Sequence, residues 1–378
     1  MVYLDNAATT FPKPEMVYSS MDKANRELAV NAGRGSYKLA RKASELISDT
    51  KQRLRDLIHA DISTSVVFSP SITIALNQVI NGLNFSKNSI VYVSPYEHNA
   101  VARTVHKASE KNGFQVKHLP LDEGYEIDID KLKYEFSKEK PAVVICTHVS
   151  NVTGYILPVE EIFKEAKKYN AICILDSAQS MGLVQIDVRN LDVDIVAFAG
   201  HKTLYGPFGI GGFINVSGVK LQDFISGGTG SDSLNLDMPN HPEGKYEAAS
   251  FNIVAVAGLN AALQDVDLEN GYKKEKELTD YLIARLRKVK GVKLFLPKNL
   301  DRHIGIVSFV VTGMESDDVG TILDEDYDIA VRTGYHCAPY IHDYIGDKKN
   351  FGTVRVGIGQ FNTKDDIEVL IDAMQEIV

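Results

Sequence analysis

Lys202 is the residue of this 378-residue chain whose surroundings most favour chemistry. It follows the apolar run DIVAF, residues 194–198, and precedes the glycine-rich segment GPFGIGG, so it is expected just beyond the carboxyl end of a buried strand. Open α/β sheets bind ligands at that end of their strands. One predicted strand earlier, ICILD ends in Asp176, with Gln179 three residues further on. The pattern predicts that a lysine and an acid share one sheet edge.

Chemistry that uses pyridoxal phosphate (PLP) requires this pair of residue types. A lysine holds the cofactor as a Schiff base, and an acid keeps the pyridine nitrogen protonated so that the ring withdraws electrons. Lys202 and Asp176 can supply these two groups. The alternatives are that Lys202 is an ordinary solvated lysine and that Asp176 only caps the turn formed by the following residues SAQS.

Cys337 is the second candidate reactive group. Cys146 and Cys173 lie in apolar, strand-like runs and are expected to be small buried hydrophobes. Cys337 lies in VRTGYHCAPYIHDYIG, which is typical of a loop, and the adjacent His336 could support its ionisation. The alternative is an ordinary loop cysteine. Three cysteines are too few for a disulfide framework, so we expect a reducing, cytoplasmic environment.

Composition and motifs exclude several other classes. The chain has 44% hydrophobic and 24% charged residues, and 41 Lys and Arg against 50 Asp and Glu give a net charge of −9. This balance is typical of a globular protein and argues against nucleic-acid or membrane binding. The N-terminus lacks an apolar signal region, and the ten histidines show no metal-ligand spacing. Neither a dinucleotide-binding G-x-G-x-x-G between a strand and a helix nor a phosphate-binding P-loop is present.

Short runs rich in Val and Ile alternate with helical patterns through most of the chain, which predicts an α/β fold with a mostly parallel central sheet. The predicted strands are SVVFS (65–69), IVYVS (90–94), AVVICT (142–147), ICILD (172–176) and DIVAF (194–198). We place a large domain at residues 1–265 and a smaller α+β domain, which carries the Cys337 loop, at 266–378. Whether residues 1–30 pack on the small domain is left open. The longest predicted loop is 226–245.

Seven collinear motifs resemble those of cysteine desulfurases. They are YLDNAATT near the start, EHNA (97–100), SNVTG (150–154), DSAQ (176–179), AGHK (199–202), GPFGIGG and RTGYHCAP (332–339). More narrowly, the chain resembles the shorter-loop branch that includes selenocysteine lyases, within the class V aminotransferase group of fold type I PLP enzymes. The resemblance spans nearly the whole chain. It implies a large PLP-binding domain, a homodimer, and L-cysteine or selenocysteine as the substrate.

The resemblance also implies a role for individual residues around the cofactor. Lys202 would form the Schiff base and move the Cα proton, while Asp176 would pair with the pyridine nitrogen. His98 would stack on the ring, and Gln179 and Asn151 would reach its hydroxyl side. The phosphate would be bound by residues from three segments: His201, Thr73 and, from the neighbouring subunit, Ser250.

For the substrate, the resemblance implies that Arg355 clamps the carboxylate, a task suited to a planar guanidinium, with Asn151 in contact. Arg332 either supports the same pocket or is a structural, ion-paired arginine. Cys337 would attack the substrate sulfur, giving alanine and a persulfide for transfer to an acceptor protein. The alternatives are a selenocysteine lyase, a class V aminotransferase, or a non-catalytic subunit that retains the fold.

The chain departs from the family pattern around the phosphate. Ala199 stands where many relatives have a hydroxyl residue, and Pro70, Ser71 and Ile74 replace a glycine-containing loop with Thr-Glu. The segment ASFN, residues 249–252, replaces the common Gly-Thr-Pro-Asn. Loss of one hydrogen bond to a charged group costs about 1.5–3 kcal/mol, which alone would not abolish cofactor binding.

Overall fold

The computed structural model describes residues 1–32, 35–230 and 234–378. Its strands, in chain order, are β1 (Val2–Tyr3), β2 (Ser65–Ser69), β3 (Ile90–Val93), β4 (Gln115–His118), β5 (Val143–Thr147), β6 (Ile172–Asp176), β7 (Ile195–Ala199), β8 (Gly211–Asn215), β9 (Val292–Phe295), β10 (Ile306–Val311), β11 (Ile329–Ala330), β12 (Arg332–Gly334) and β13 (Thr353–Gly357).

Helices cover these strands and connect most of them. They are α1 (Glu15–Glu27), α2 (Lys38–Leu57), α3 (Ile72–Gly82), α4 (Asn99–Asn112), α5 (Ile129–Lys138), α6 (Val159–Lys167), α7 (Pro242–Tyr246), α8 (Ile253–Asp265), α9 (Leu268–Leu286), α10 (Ser316–Tyr327), α11 (His342–Ile345) and α12 (Lys364–Ile377).

A seven-stranded sheet in the order β2-β8-β7-β6-β5-β3-β4 forms the centre of the fold. Its strands run parallel except β8, which is antiparallel to both of its neighbours. The inner strands β5 and β7 are buried along their whole length, as expected for apolar strands covered on both faces. This architecture confirms the predicted α/β class with its mostly parallel sheet.

The five predicted strands are confirmed as β2, β3, β5, β6 and β7, each within one residue at either end. The edge strand β4 was not predicted, because its sequence QVKH has little apolar character and is at most half-buried. The predicted loop 226–245 ends in the short helix α7, and its residues 231–233 lie outside the described part of the chain.

A second sheet follows in the C-terminal part of the chain, with the antiparallel order β12-β13-β10-β9. Its own apolar core includes Phe309, Val356 and Ile371, together with Leu4 from the N-terminus. The N-terminal strand β1 pairs with β11 in this region, whereas α1 packs against α8 beside the large sheet. The division after residue 265 stays a prediction.

Substitution of Phe198 tests the packing of β7, the strand that precedes Lys202. The Phe198 side chain is fully buried in β7, so Phe198→Ala should lower the free energy of unfolding by about 3–5 kcal/mol through lost burial and a residual cavity. The control Val369→Ala, at a position on α12 that is 43% exposed, should change it by less than about 0.5 kcal/mol. Urea unfolding measures both. Equal midpoints for the two variants would contradict this packing.

Candidate active site

Lys202 lies in the turn that follows β7, beyond the carboxyl end of the strand, where it was predicted. Gly200 makes this turn possible, since a Cβ atom there would lie 2.7 Å from the carbonyl oxygen of Ile210. The Tyr205 amide donates to the Lys202 carbonyl at 2.7 Å and closes the turn. Burial lowers the pKa of Lys202 to about 8, so both protonation states of Nζ are accessible near neutral pH.

Asp176 ends the neighbouring strand β6 and is buried. Its Oδ1 accepts a hydrogen bond from the Ala178 amide at 2.9 Å, so Asp176 also forms the turn contact considered as its alternative role. Burial raises the pKa of Asp176, while the positive charge of Lys202 lowers it. A buried carboxylate near an amine provides a binding site for a cation that replaces or joins the amine.

Two arginines bring positive charge to the same site. Arg332 on β12 and Arg355 on β13 are direct cross-strand partners, an arrangement of like charges that destabilises a sheet unless an anion separates them. Arg355 is buried and donates from Nη1 to the Asn151 carbonyl at 3.0 Å and from Nη2 to Asp5 Oδ1 at 2.7 Å. Its Nε is also buried, and no described residue accepts a hydrogen bond from it.

Cys337 lies in the turn between β12 and α11, and its side chain is partly exposed. His336 and Cys337 both adopt left-handed backbone, with φ of 47° and 57°, a conformation that is costly for non-glycine residues and common at functional sites. The Asn99 amide, at the start of α4, donates to the Cys337 carbonyl at 2.6 Å. Arg332 Nη2 donates to Sγ at 3.3 Å, so a guanidinium lies against the sulfur.

The suggested support of Cys337 by His336 is wrong. The His336 ring is buried, and its Nε2 lies 2.8 Å from the Thr353 hydroxyl oxygen on β13. Burial moves the pKa of His336 well below its usual value, so the ring carries no charge to stabilise a thiolate. The positive charge next to the sulfur comes instead from Arg332, the first residue of β12.

His98 is the N-cap of α4, and its Nδ1 accepts a hydrogen bond from the Ala100 amide at 3.0 Å. Burial and the charge of Lys202 lower the pKa of His98 to about 3. The imidazole is therefore neutral with its hydrogen on Nε2, which leaves a flat, uncharged ring. Its electrostatic coupling to Lys202, Arg332 and Arg355 places it in the same cluster.

Glu97 is a functional residue that the sequence reasoning missed, although it lies within the quoted segment EHNA. Its side chain is fully buried, and Oε1 accepts hydrogen bonds from Ser94 Oγ at 2.5 Å and from the Thr147 amide at 2.7 Å. Glu97 thereby ties the turn that carries His98 to the end of β5. Burial and the nearby charge of Asp176 raise the pKa of Glu97 to about 8, so it is protonated at neutral pH.

Asn151 and Gln179 hold the edges of the site. Asn151 Nδ2 donates to the His336 carbonyl at 2.7 Å and so fixes the Cys337 turn. Gln179 Nε2 donates to the Ala7 carbonyl at 2.7 Å, which ties the N-terminal segment to β6. Together with Asp5, this contact explains why YLDNAATT belongs to the site although no role was predicted for its residues.

The three candidate phosphate ligands come from separate elements. Thr73 lies exposed in the first turn of α3, where helix amides favour anions and the Ser71 hydroxyl already caps the Ile74 amide at 3.3 Å. His201 stacks on Phe208 with ring centroids 4.6 Å apart, and no described residue binds its buried Nδ1. Ser250 is exposed and accepts from Asn31 at 3.2 Å. Their binding of phosphate stays a prediction.

No group of three or more potential metal ligands occurs among the described residues. Of the helices in the described ranges, none is long and apolar enough to cross a membrane.

Comparison with known proteins gives matches over the whole chain. The profile of the family described as Aminotransferase class-V matches residues 2–370. The chain is 32% identical to the probable cysteine desulfurases of Methanothermobacter thermautotrophicus and Halalkalibacterium halodurans, with all of this chain and 94% and 93% of those proteins covered. The apo structure of a cysteine desulfurase from Thermococcus onnurineus superimposes with a TM-score of 0.92 at 30% identity, covering 100% of this chain and 94% of that one. These matches confirm the resemblance found in the motifs.

Glu97 gives a pH-dependent prediction. Its pKa is about 8 in the folded protein and about 4.3 in an unfolded chain, so between these values only the folded state holds the proton. The contribution of Glu97 to the free energy of unfolding is therefore fully present below the pKa of the unfolded state. It is lost as the pH rises through the pKa of the folded state. Glu97→Gln does not titrate, so its free energy of unfolding relative to wild type should rise by more than about 1.4 kcal/mol from about pH 5 to about pH 8.

Urea unfolding at the two pH values, with the cofactor state held the same, measures this difference. The exposed Glu123→Gln serves as the control and should follow wild type at both values. A constant offset between Glu97→Gln and wild type would show that Glu97 does not titrate in this range.

Proposed function

The chain belongs to the aminotransferase class-V family, and from this premise we propose that it is a PLP-dependent cysteine desulfurase. It converts L-cysteine to L-alanine and keeps the sulfur as a persulfide on Cys337. The names of the relatives that match its whole length support this activity. The observation that carries the proposal is geometric: Cys337 Sγ lies 3.3 Å from Arg332 Nη2, and the Cys337 carbonyl accepts from the Asn99 amide, at the start of the helix that His98 caps.

The residues of the site fit PLP. Asp176 offers a buried carboxylate to a protonated ring nitrogen, His98 offers a neutral ring for stacking, and Lys202 offers an amine with a lowered pKa. The buried Nδ1 of His201, which no described residue binds, is available to the phosphate. PLP, when bound, withdraws electrons from the substrate, which acidifies its Cα proton and weakens the bond between Cβ and sulfur.

Lys202 is the base in this proposal. A group transfers protons best when its pKa lies near the working pH, and burial brings the Nζ pKa to about 8. Nζ takes the Cα proton of the substrate and later returns a proton to the carbon skeleton. Asp176 stays ionised beside the added positive charge of the ring, because an opposite charge favours the carboxylate.

The substrate carboxylate binds between the two arginines. Arg355 already holds one carboxylate, that of Asp5, and its unused Nε can serve a second. The Asn151 carbonyl fixes Nη1 and so sets the plane of the guanidinium. A carboxylate at this position also relieves the repulsion between the cross-strand partners Arg332 and Arg355.

Cys337 then acts as the nucleophile. Its thiolate attacks the substrate sulfur, so a sulfur–sulfur bond forms while the bond between Cβ and sulfur breaks. The electron pair of the broken bond stays with the substrate carbon, which gains protons and leaves as alanine. The sum is one cysteine and one Cys337 thiol converted to one alanine and one Cys337 persulfide, with no external oxidant. Arg332 stabilises the anion on Sγ before and after the step.

We further propose a cytoplasmic homodimer that passes its sulfur to an acceptor. The exposed position of Ser250 supports a role across a subunit interface, where it would complete the partner's phosphate site. All three cysteines are unpaired, which fits a reducing compartment.

Removal of the nucleophile tests the reaction. Wild type supplied with L-cysteine should form alanine, and Cys337→Ala should lose about a hundredfold or more of this rate, since no other thiol reaches the substrate. Cys173→Ala, which removes a buried thiol outside the site, is the control and should retain its rate per folded molecule. Full cysteine turnover by Cys337→Ala would contradict the persulfide mechanism. Selenocysteine as the only substrate, or a keto acid product, would favour a lyase or an aminotransferase.

The assignment of Lys202 as the lysine that binds the cofactor can be tested by comparison with Lys13. Burial also lowers the pKa of Lys13, to about 7, and its Nζ lies 2.8 Å from the His201 carbonyl oxygen. Borohydride treatment of the PLP-loaded protein, followed by peptide mass spectrometry, should find the cofactor on the Lys202 peptide. Lys202→Ala should lose this attachment and Lys13→Ala should keep it. Attachment to Lys13, or none in wild type, would contradict the assignment.

A further inference from the structure

A cavity of about 540 Å³ opens beside Cys337, on the side where α4 packs against the Cys337 turn. One wall is formed by a single face of α4, at the spacing i, i+3, i+4 and i+7, and consists of Asn99, Ala102, Arg103 and His106. The opposite wall is the turn itself, from Tyr335 to Tyr340, and His342 and Lys348 complete the lining. Lys202 and Asp176 are not among these residues, so the cavity lies outside the predicted cofactor site.

The walls of this cavity are held in place. The hydrogen bond from the Asn99 amide to the Cys337 carbonyl joins the two walls at one end. At the other end, Tyr340 packs on His118 with ring centroids 4.3 Å apart. His342 is buried, with Nδ1 2.6 Å from Asp347 Oδ2 and Nε2 3.0 Å from the Tyr335 carbonyl oxygen. These contacts fix the shape of a space that has Cys337 in its wall.

Basic residues line the cavity, although the chain has a net charge of −9. Arg103, His106 and Lys348 line it, and none of its described lining residues is acidic. His106 and Lys348 have partners in Glu110 and Asp343. Arg103 differs, because it forms neither a hydrogen bond nor an ion pair with any residue in the described ranges. Its guanidinium is therefore free to bind an anion through planar, paired N–H groups.

We propose that this cavity binds the sulfur acceptor, and that the acceptor is a small thiol with at least one carboxylate, held by Arg103. The inference rests on the proposed persulfide on Cys337. The volume lies within the range of about 300–1,000 Å³ typical of small-molecule sites. A carboxylate at Arg103 leaves the thiol of the same molecule in the space next to Cys337.

The transfer is balanced without an oxidant. The acceptor thiolate attacks the outer sulfur of the persulfide, so a bond forms between the acceptor sulfur and that atom. The bond from the outer sulfur to Cys337 Sγ breaks, and its electron pair remains on Sγ. Arg332 receives the regenerated thiolate through its hydrogen bond to Sγ. One acceptor thiol becomes one acceptor persulfide, and Cys337 returns to its starting state.

Two small thiols that differ in charge test the proposal with the PLP-loaded enzyme. Alanine formation is measured at one fixed, low concentration of L-cysteine, which is itself a thiol with a carboxylate, and the rate without added thiol is subtracted. Mercaptosuccinate, which is anionic, or thioglycerol, which is neutral, is varied. The ratio of the KM for mercaptosuccinate to that for thioglycerol should rise about tenfold in Arg103→Gln, because a charge-assisted hydrogen bond is lost. The ratio cancels the intrinsic reactivity of each thiol. The KM ratio of Arg103→Lys should lie between the ratios of wild type and Arg103→Gln.

Lys111→Gln is the matched control, since it removes the same charge from the exposed last turn of α4 without lining the cavity. Its KM ratio should equal that of wild type. An unchanged ratio in Arg103→Gln, or an equal rise in Lys111→Gln, overturns the proposal. The proposal is also overturned if Arg103→Gln raises the KM only for a peptide whose cysteine is flanked by aspartates. That result would assign the surface to an acidic protein. Absence of alanine with every thiol would instead show that the proposed desulfurase activity fails.

Discussion

The structure depends on a partly buried amine and a buried carboxylate that share the carboxyl edge of the central sheet. Lys202 and Asp176 reach this position because β7 and β6 are adjacent parallel strands: Asp176, the last residue of β6, pairs with Ala197 of β7, and Lys202 follows shortly after β7 ends at Ala199. Burial of either charge alone would be expensive, and each reduces the cost of the other. The same burial lowers the pKa of Lys202 into the range where proton transfer is efficient. The same placement of Lys202 and Asp176 therefore lowers the stability of the fold and prepares Lys202 for proton transfer.

Around this pair, long-range contacts bring distant segments to the site. Asp5 binds Arg355 across 350 positions of sequence, and Gln179 binds the Ala7 carbonyl. Glu97 ties the His98 turn to the end of β5 through the Thr147 amide. Each contact fixes a group that would act on the substrate or the cofactor.

The sequence predicted the central sheet well because its strands are continuous apolar runs, and it predicted Lys202 and Asp176 because both directly follow such runs. Local patterns could not show which side chains meet across the fold. Glu97 was missed since its role depends on burial beneath His98. The contact of Arg332 with Cys337 was missed for a related reason: the adjacent His336 was the obvious partner in sequence, but its ring turns into β13. Antiparallel pairing of β12 and β13 decides this outcome.

The proposed reaction depends on one step, in which sulfur leaves the substrate as a persulfide on Cys337. The most direct measurement is peptide mass spectrometry of the PLP-loaded protein after exposure to no more than one equivalent of L-cysteine, without any other thiol, together with the alanine released. We expect the mass of one added sulfur atom on the Cys337 peptide, in an amount equal to the alanine, and none on the peptides of Cys146 and Cys173. Alanine with free sulfide and an unmodified Cys337, or sulfur on either buried cysteine, would contradict it.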